Sequence, residues 1–154
     1  MTTSIRVGNA RLLKLADQLD KVKRSQFDFT DFVGCPVDGK SPKEDLSCGT
    51  SACALGWAGS MPLFRRLGLK LEVERYVDAF YGPRMSIELQ YKGDEHSVFE
   101  GASEIFAIDE DQAMSLFDPY NNAVLKRDAT AKQVAKAIRK LVASRSGRKP
   151  TGRK

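Results

Sequence analysis

Cys48-Gly49-Thr50-Ser51-Ala52-Cys53-Ala54-Leu55-Gly56-Trp57-Ala58-Gly59-Ser60-Met61-Pro62 contains two of the three cysteines of the chain and its single tryptophan. Thr50 or Ser51 is placed to cap a helix, since a hydroxyl can accept from a free N–H of the first turn. Inside that helix Gly56 and Gly59 each cost about 1 kcal/mol relative to alanine, so a compensating contact is expected. Ala52, Gly56 and Gly59 fall at i, i+4 and i+7 and form a face with almost no side chain. Such a face admits a neighbouring backbone or a flat ligand at short range. Cys53 and Trp57 stand on the adjacent face. The stretch therefore predicts a buried central helix ending near Ser60, with Gly56 against the backbone of another element.

On the N-terminal side, Asn9 is a candidate cap for a helix over about Ala10 to Lys23. Leu12, Ala16, Leu19 and Val22 give it an apolar stripe, which Leu13 and Leu15 widen. Phe27, Phe29 and Phe32 follow closely enough to wedge against that helix. Cys35 to Ser47 is a polar loop carrying Pro36, Gly39 and Pro42. Beyond the central stretch, Pro62 opens a short turn that Gly68 stops.

The period then changes from helical to alternating. Leu69, Leu71 and Val73 alternate with Lys70, Glu72 and Glu74, and Met85, Ile87, Leu89 and Tyr91 with Ser86, Glu88 and Gln90. Two such runs read as a β-hairpin, with a long connection containing Gly82-Pro83. Ser97 with Glu100, Asp109 with Gln112, and Thr130 with Gln133 match the capping-box pattern and predict three more helices. The last of these runs to about Ser144, with Val134, Ile138, Leu141 and Val142 inward. The expected fold class is α+β, a single mainly helical domain over 1–144 around a small-residue central helix, with one β-hairpin. Residues 145–154, rich in bases with Ser, Gly, Pro and Thr, are expected to be a disordered basic tail.

The 154 residues fit one domain, and no apolar run approaches the roughly 18 residues of a membrane span. No long apolar stretch of signal-peptide type opens the chain. An odd number of cysteines argues against a closed disulfide framework, so the thiols are expected reduced and the location cytoplasmic. Net charge is +5, unevenly spread. Residues 1–125 hold 14 Lys/Arg against 19 Asp/Glu, net −5, and residues 126–154 hold 11 against one, net +10. A mildly acidic body with a basic C-terminal arm predicts a polyanionic partner for the arm. Lys132, Lys136, Arg139, Lys140, Arg145, Arg148, Lys149, Arg153 and Lys154 are the candidate nucleic-acid-binding residues. Thr130 to Lys140 is similar to the first helix of a helix-turn-helix, but no recognition helix follows, which directs the expectation to backbone contact or an acidic protein surface.

Three other chemistries compete. Cys35, Cys48, Cys53 and His96 make a Cys3His set of the kind that holds tetrahedral zinc. The spacing lacks a close Cys-x2-Cys knuckle, so small structural thiols are the preferred reading and neither metal nor cofactor is expected. Cys48 or Cys53, near a helix start, could instead serve as a nucleophile with His96 as its base. Gly49, Thr50 and Ser51, with Trp57 nearby, could hold an anionic ligand at the helix N-terminus, although no Walker or Rossmann glycine spacing is present.

The stretch 48–58 resembles the Cys-Gly-Thr-x-Ala-Cys-x-x-Gly-Trp-Ala motif of a family of small uncharacterised proteins found mostly in bacteriophage and actinobacterial genomes. The leading Leu-rich helix with Phe27-Asp28, the segment from Ala102 to Pro119, and Ala129 to Ala135 extend the likeness to about two-thirds of the chain. The resemblance implies a fold unit rather than an activity. The expected function is that of a non-catalytic phage-type accessory protein, working in the host cytoplasm and engaging nucleic acid, another acidic macromolecule or a host protein, away from membranes. The alternatives are a small cysteine-dependent enzyme and an anti-defence nucleotide-binding protein.

Overall fold

A computed structural model describes residues 2–30, 32, 51–93 (backbone only at 84–86), 96–120, 122 and 125–147. The first helix, α1, spans Ile5–Asp20 and is capped by Ser4, whose hydroxyl accepts from the Val7 N–H at 3.3 Å. It thus starts five residues before the expected Ala10. Asn9 lies within it and donates from its side-chain amide to the Ser146 hydroxyl at 3.4 Å. Leu12, Leu15, Ala16 and Leu19 are its buried stripe, and Leu13 faces solvent.

The central helix α2 is Ala54–Ser60, and α3, Pro62–Arg66, follows directly with its proline in the first turn. Cys53, not Thr50 or Ser51, occupies the N-cap position of α2, and no side chain caps it. Ala52 therefore precedes the helix, where its backbone bridges to Phe27. Residues 52–59 are all buried, as expected for a helix at the centre. A Cβ placed on Gly56 would overlap the Phe32 carbonyl oxygen, and one on Gly59 would lie 2.5 Å from a Leu89 methyl. The two glycines thus serve two different neighbours. Phe29 is buried and Phe27 packs against the core. The Phe32 ring lies 6.0 Å from that of Phe99, on the fourth helix rather than the first.

Strands β1 (Leu69–Asp78) and β2 (Gly82–Tyr91) form one antiparallel two-stranded sheet, in register Leu69↔Tyr91, Leu71↔Leu89 and Val73↔Ile87. The connection is short, residues 79–81, and the ladder runs several residues past the apolar alternation on both strands. The Asp78 carboxylate organises the turn by accepting from the Phe80 and Tyr81 N–H groups at 2.8 and 2.9 Å. Gly82 then takes a φ of +76°, open to glycine without strain. Leu69, Leu71, Ile87, Leu89 and Tyr91 at the base are buried, β1 packing on α2 and α3 and β2 on α2 and on the helix Val98–Phe106.

Helices α4 (Val98–Phe106), α5 (Glu110–Phe117) and α6 (Ala131–Arg145) complete the body. The Asp109–Gln112 and Thr130–Gln133 boxes close in both directions. Ser97 caps α4, but Glu100 turns to His96 instead of returning to the cap. Phe106 links the layers, its ring 5.4 Å from Phe64 and 5.9 Å from Phe117. α6 lies antiparallel along α1, since Asn9 meets Ser146 at one end while Asp17 and Asp20 meet Arg139 further on.

Candidate functional site

The outer side of α6 is the surface most directly shaped by the basic arm. Ala131, Val134, Ala135, Ile138 and Val142 are buried, which turns Lys132, Lys136 and Lys140 outward at successive turns. Four residues at 1.5 Å rise space these ammonium groups about 6 Å apart along the helix. No carboxylate forms an ion pair with any of the three among the described residues, although the charge of Lys132 reaches Asp20.

The two arginines of this helix are engaged within the chain. Arg139 donates from Nη2 to Asp17 at 3.0 Å and to Asp20 at 2.6 Å, joining α6 to α1. The hydrogen bond from Arg139 holds the Asp20 carboxyl below its ordinary range, and the two carboxylates raise the guanidinium in return. Arg145 reaches the C-terminal end of α4, donating to the Phe106 carbonyl at 3.3 Å and to the Ala107 carbonyl. Partial burial lowers its pKa. Arg11 joins it from α1, donating to the Ile105 carbonyl at 2.9 Å. Two cations thus satisfy carbonyls at a helix end where the dipole favours them. Arg148, Lys149, Arg153 and Lys154 lie outside the described residues.

The thiol and ligand candidates that the structure describes each have their own surroundings. Cys53 is 2% exposed, and loss of solvation raises its thiol to about 11, with the Gly56 and Leu55 N–H groups acting in the opposite sense. Such a group is protonated at neutral pH and behaves as a small apolar side chain. His96 lies at the surface, its Nδ1 3.5 Å from Glu100 and its ring 6.0 Å from that of Tyr91. Trp57 is buried and donates from Nε1 to the Gln26 carbonyl at 3.0 Å, tying α2 to the 3-10 turn after α1. Ser51 is half-buried just before α2. Cys35, Cys48, Gly49 and Thr50 lie outside the described residues. Among the described residues no three His, Cys, Asp or Glu side chains gather as a metal set.

Two features have no clear signature in the sequence. A cavity of about 590 Å³ at the start of α1 is lined in part by Thr3, Arg11, Tyr91, Lys92 and Glu104. There Tyr91 donates to Glu104 at 2.5 Å, and the Lys92 ammonium stands 3.5 Å from the same carboxylate oxygen. Its polar groups are thus largely answered by one another. The second feature is the far end of the hairpin, where Tyr76, Val77, Phe80 and Tyr81 are exposed. No helix among the described residues is long and apolar enough to cross a membrane. No family model, curated protein or solved structure matches the chain.

Proposed function

We propose that the chain is a non-catalytic accessory protein of phage type, acting in the host cytoplasm, whose C-terminal arm engages the backbone of a nucleic acid. The observation that carries this reading is the row Lys132, Lys136 and Lys140, exposed along one side of α6 and free of ion pairs among the described residues. The row continues into a segment with four further bases, Arg148, Lys149, Arg153 and Lys154. Charges about one helical turn apart meet separate phosphates and release counterions, so affinity follows salt more than sequence. Arg139 and Arg145, already spent on internal contacts, are left out of this surface.

The test is binding of the full chain to mixed-sequence DNA and RNA at several salt concentrations. It is repeated with Lys132, Lys136 and Lys140 all changed to Gln, and with a chain ending after Gly147. The expected result is a log-linear fall of affinity with salt, whose slope decreases by about one for each lysine in contact. A full chain that binds neither polymer at low salt overturns the reading.

A further inference from the structure

The cavity of about 590 Å³ at the start of α1 has the size of a small-molecule site, for which about 300–1,000 Å³ is common. Three parts of the chain wall it: the residues leading into α1 together with Arg11, the turn after β2 with Lys92, and the last turns of α4 with Ser103, Glu104 and Ala107. Lys92 and Ala107 are the two non-glycine residues with positive φ among the described residues, at +48° and +51°. Glycine takes that conformation freely, whereas a residue with a side chain is strained in it, and such strain gathers at ligand sites. Both strained residues line this one cavity.

Internal contacts leave donors and an acceptor over. Arg11 uses Nη1 alone, on the Ile105 carbonyl at 2.9 Å and the Thr3 hydroxyl at 3.4 Å, so its Nε and Nη2 groups donate to no described residue. Glu104 receives Tyr91 and Lys92 on Oε2, and its Oε1 accepts from no described residue. The Lys92 and Glu104 side chains, 3.5 Å apart, are 53% and 58% exposed. An ion pair in that much water contributes little, so the ammonium is available to a second anion. Gly101 shapes the wall behind them. A Cβ there would lie 2.5 Å from the Tyr91 ring, so the missing side chain lets the buried ring close on α4 with its hydroxyl at Glu104.

The chemistry of the lining narrows the ligand. Arg11 and Lys92 supply two cations, which match a dianionic phosphate: the guanidinium fork can give two parallel hydrogen bonds, and the ammonium acts as a point charge. The hydroxyls of Thr3 and Ser103 add neutral donors. The Glu104 carboxylate repels a phosphate but accepts strongly from a hydroxyl, so it favours a ligand that carries hydroxyl groups beside its phosphate. Tyr91 is the one aromatic residue in the lining; its ring is buried, with the Lys92 ammonium 5.1 Å from its centre. A nucleobase therefore finds no open ring to stack on.

The geometry points to a binding site for a small phosphomonoester of the polyol-phosphate or sugar-phosphate class, with Arg11 and Lys92 on the phosphate and Glu104 on a hydroxyl. The test is titration calorimetry of the full chain with glycerol phosphate, inorganic phosphate and glycerol, with circular dichroism confirming that each variant is folded. Glycerol phosphate should bind saturably, one per chain, and more tightly than inorganic phosphate, while glycerol gives no heat of binding. Lys92→Gln should weaken glycerol phosphate binding roughly tenfold or more, and Lys92→Arg, which keeps the charge, should retain most of the affinity. Glu104→Gln removes the repulsion, so inorganic phosphate should bind it more tightly than it binds the parent, and the preference for glycerol phosphate should shrink. The variant with Lys132, Lys136 and Lys140 changed to Gln should bind glycerol phosphate as the parent does, which separates this cavity from the α6 row. No saturable binding of glycerol phosphate at millimolar concentration overturns the proposal, and so does binding that Lys92→Gln leaves equally tight. Binding lost in the α6 variant instead overturns it too, by assigning the phosphate to that row. Inorganic phosphate as tight as glycerol phosphate overturns the role given to Glu104.

Discussion

Gly8 on α1 and Phe106 at the end of α4 meet backbone to backbone: a Cβ on Gly8 would overlap the Phe106 carbonyl oxygen. Arg11, one turn further along α1, donates to Ile105 at 2.9 Å, and Arg145 donates to Phe106 from α6. Three helices thus converge on one helix end, and the missing side chain of Gly8 allows the approach. Alanine is the better helix former by about 1 kcal/mol, so Gly8→Ala at a neutral position would stabilise. Here the contact is with backbone, which cannot rotate away, and Gly8→Ala is expected to lower stability in urea denaturation. A rise in the midpoint would show that α4 yields easily.

Gly56 plays the same part inside α2. Gly56→Leu should cost roughly 1–3 kcal/mol or more through overpacking against Phe32 and Ala52. Thermal melting checks this, and an unchanged melting temperature would remove the central helix from its organising role.

The end of the folded body is set by Arg145 rather than Ser144. A chain ending after Ser144 loses the donor to Phe106 and Ala107 and should be less stable by about 1–2 kcal/mol. One ending after Gly147 keeps that donor and should melt like the full chain. Comparing the two by urea denaturation separates the structural base from the tail.

Cys53 gives a pH prediction with a definite sign. Its thiol is raised from 9.0 to about 11 by burial. Below pH 9 it is neutral in folded and unfolded chains alike, and the stability tied to this shift is fully present. Between pH 9 and about 11 the unfolded chain loses the proton first, so stability falls as pH rises. Cys53→Ala should show a shallower alkaline loss than the parent chain. In the native parent at neutral pH, peptide mapping after iodoacetamide treatment should find Cys53 unmodified, with labelling only after denaturation.

Much of the architecture was legible because local patterns and burial agree in it. The Asp109 and Thr130 caps, the α6 stripe and the paired faces of Leu69, Leu71, Ile87 and Leu89 follow from period and from hydrogen-bonding chemistry alone. The small-residue run 52–59 likewise announces a buried helix with a close backbone neighbour. α1 is capped by Ser4 and not by Asn9, two residues of nearly equal capping power. Tertiary burial of Gly8 favours the longer helix. The hairpin extends past the alternating residues because alternation reports burial, whereas the ladder continues on backbone hydrogen bonds after burial ends. Charge also separated from structure. The sequence counts Arg139 and Arg145 with the other bases, but the antiparallel fit of α6 on α1 brings Arg139 to Asp17 and Asp20, and the end of α6 brings Arg145 to open carbonyls of α4. Composition alone determined that a basic arm follows an acidic body. Which bases remain free to meet a partner was decided by the tertiary structure, because pairing depends on elements more than a hundred residues apart in the chain.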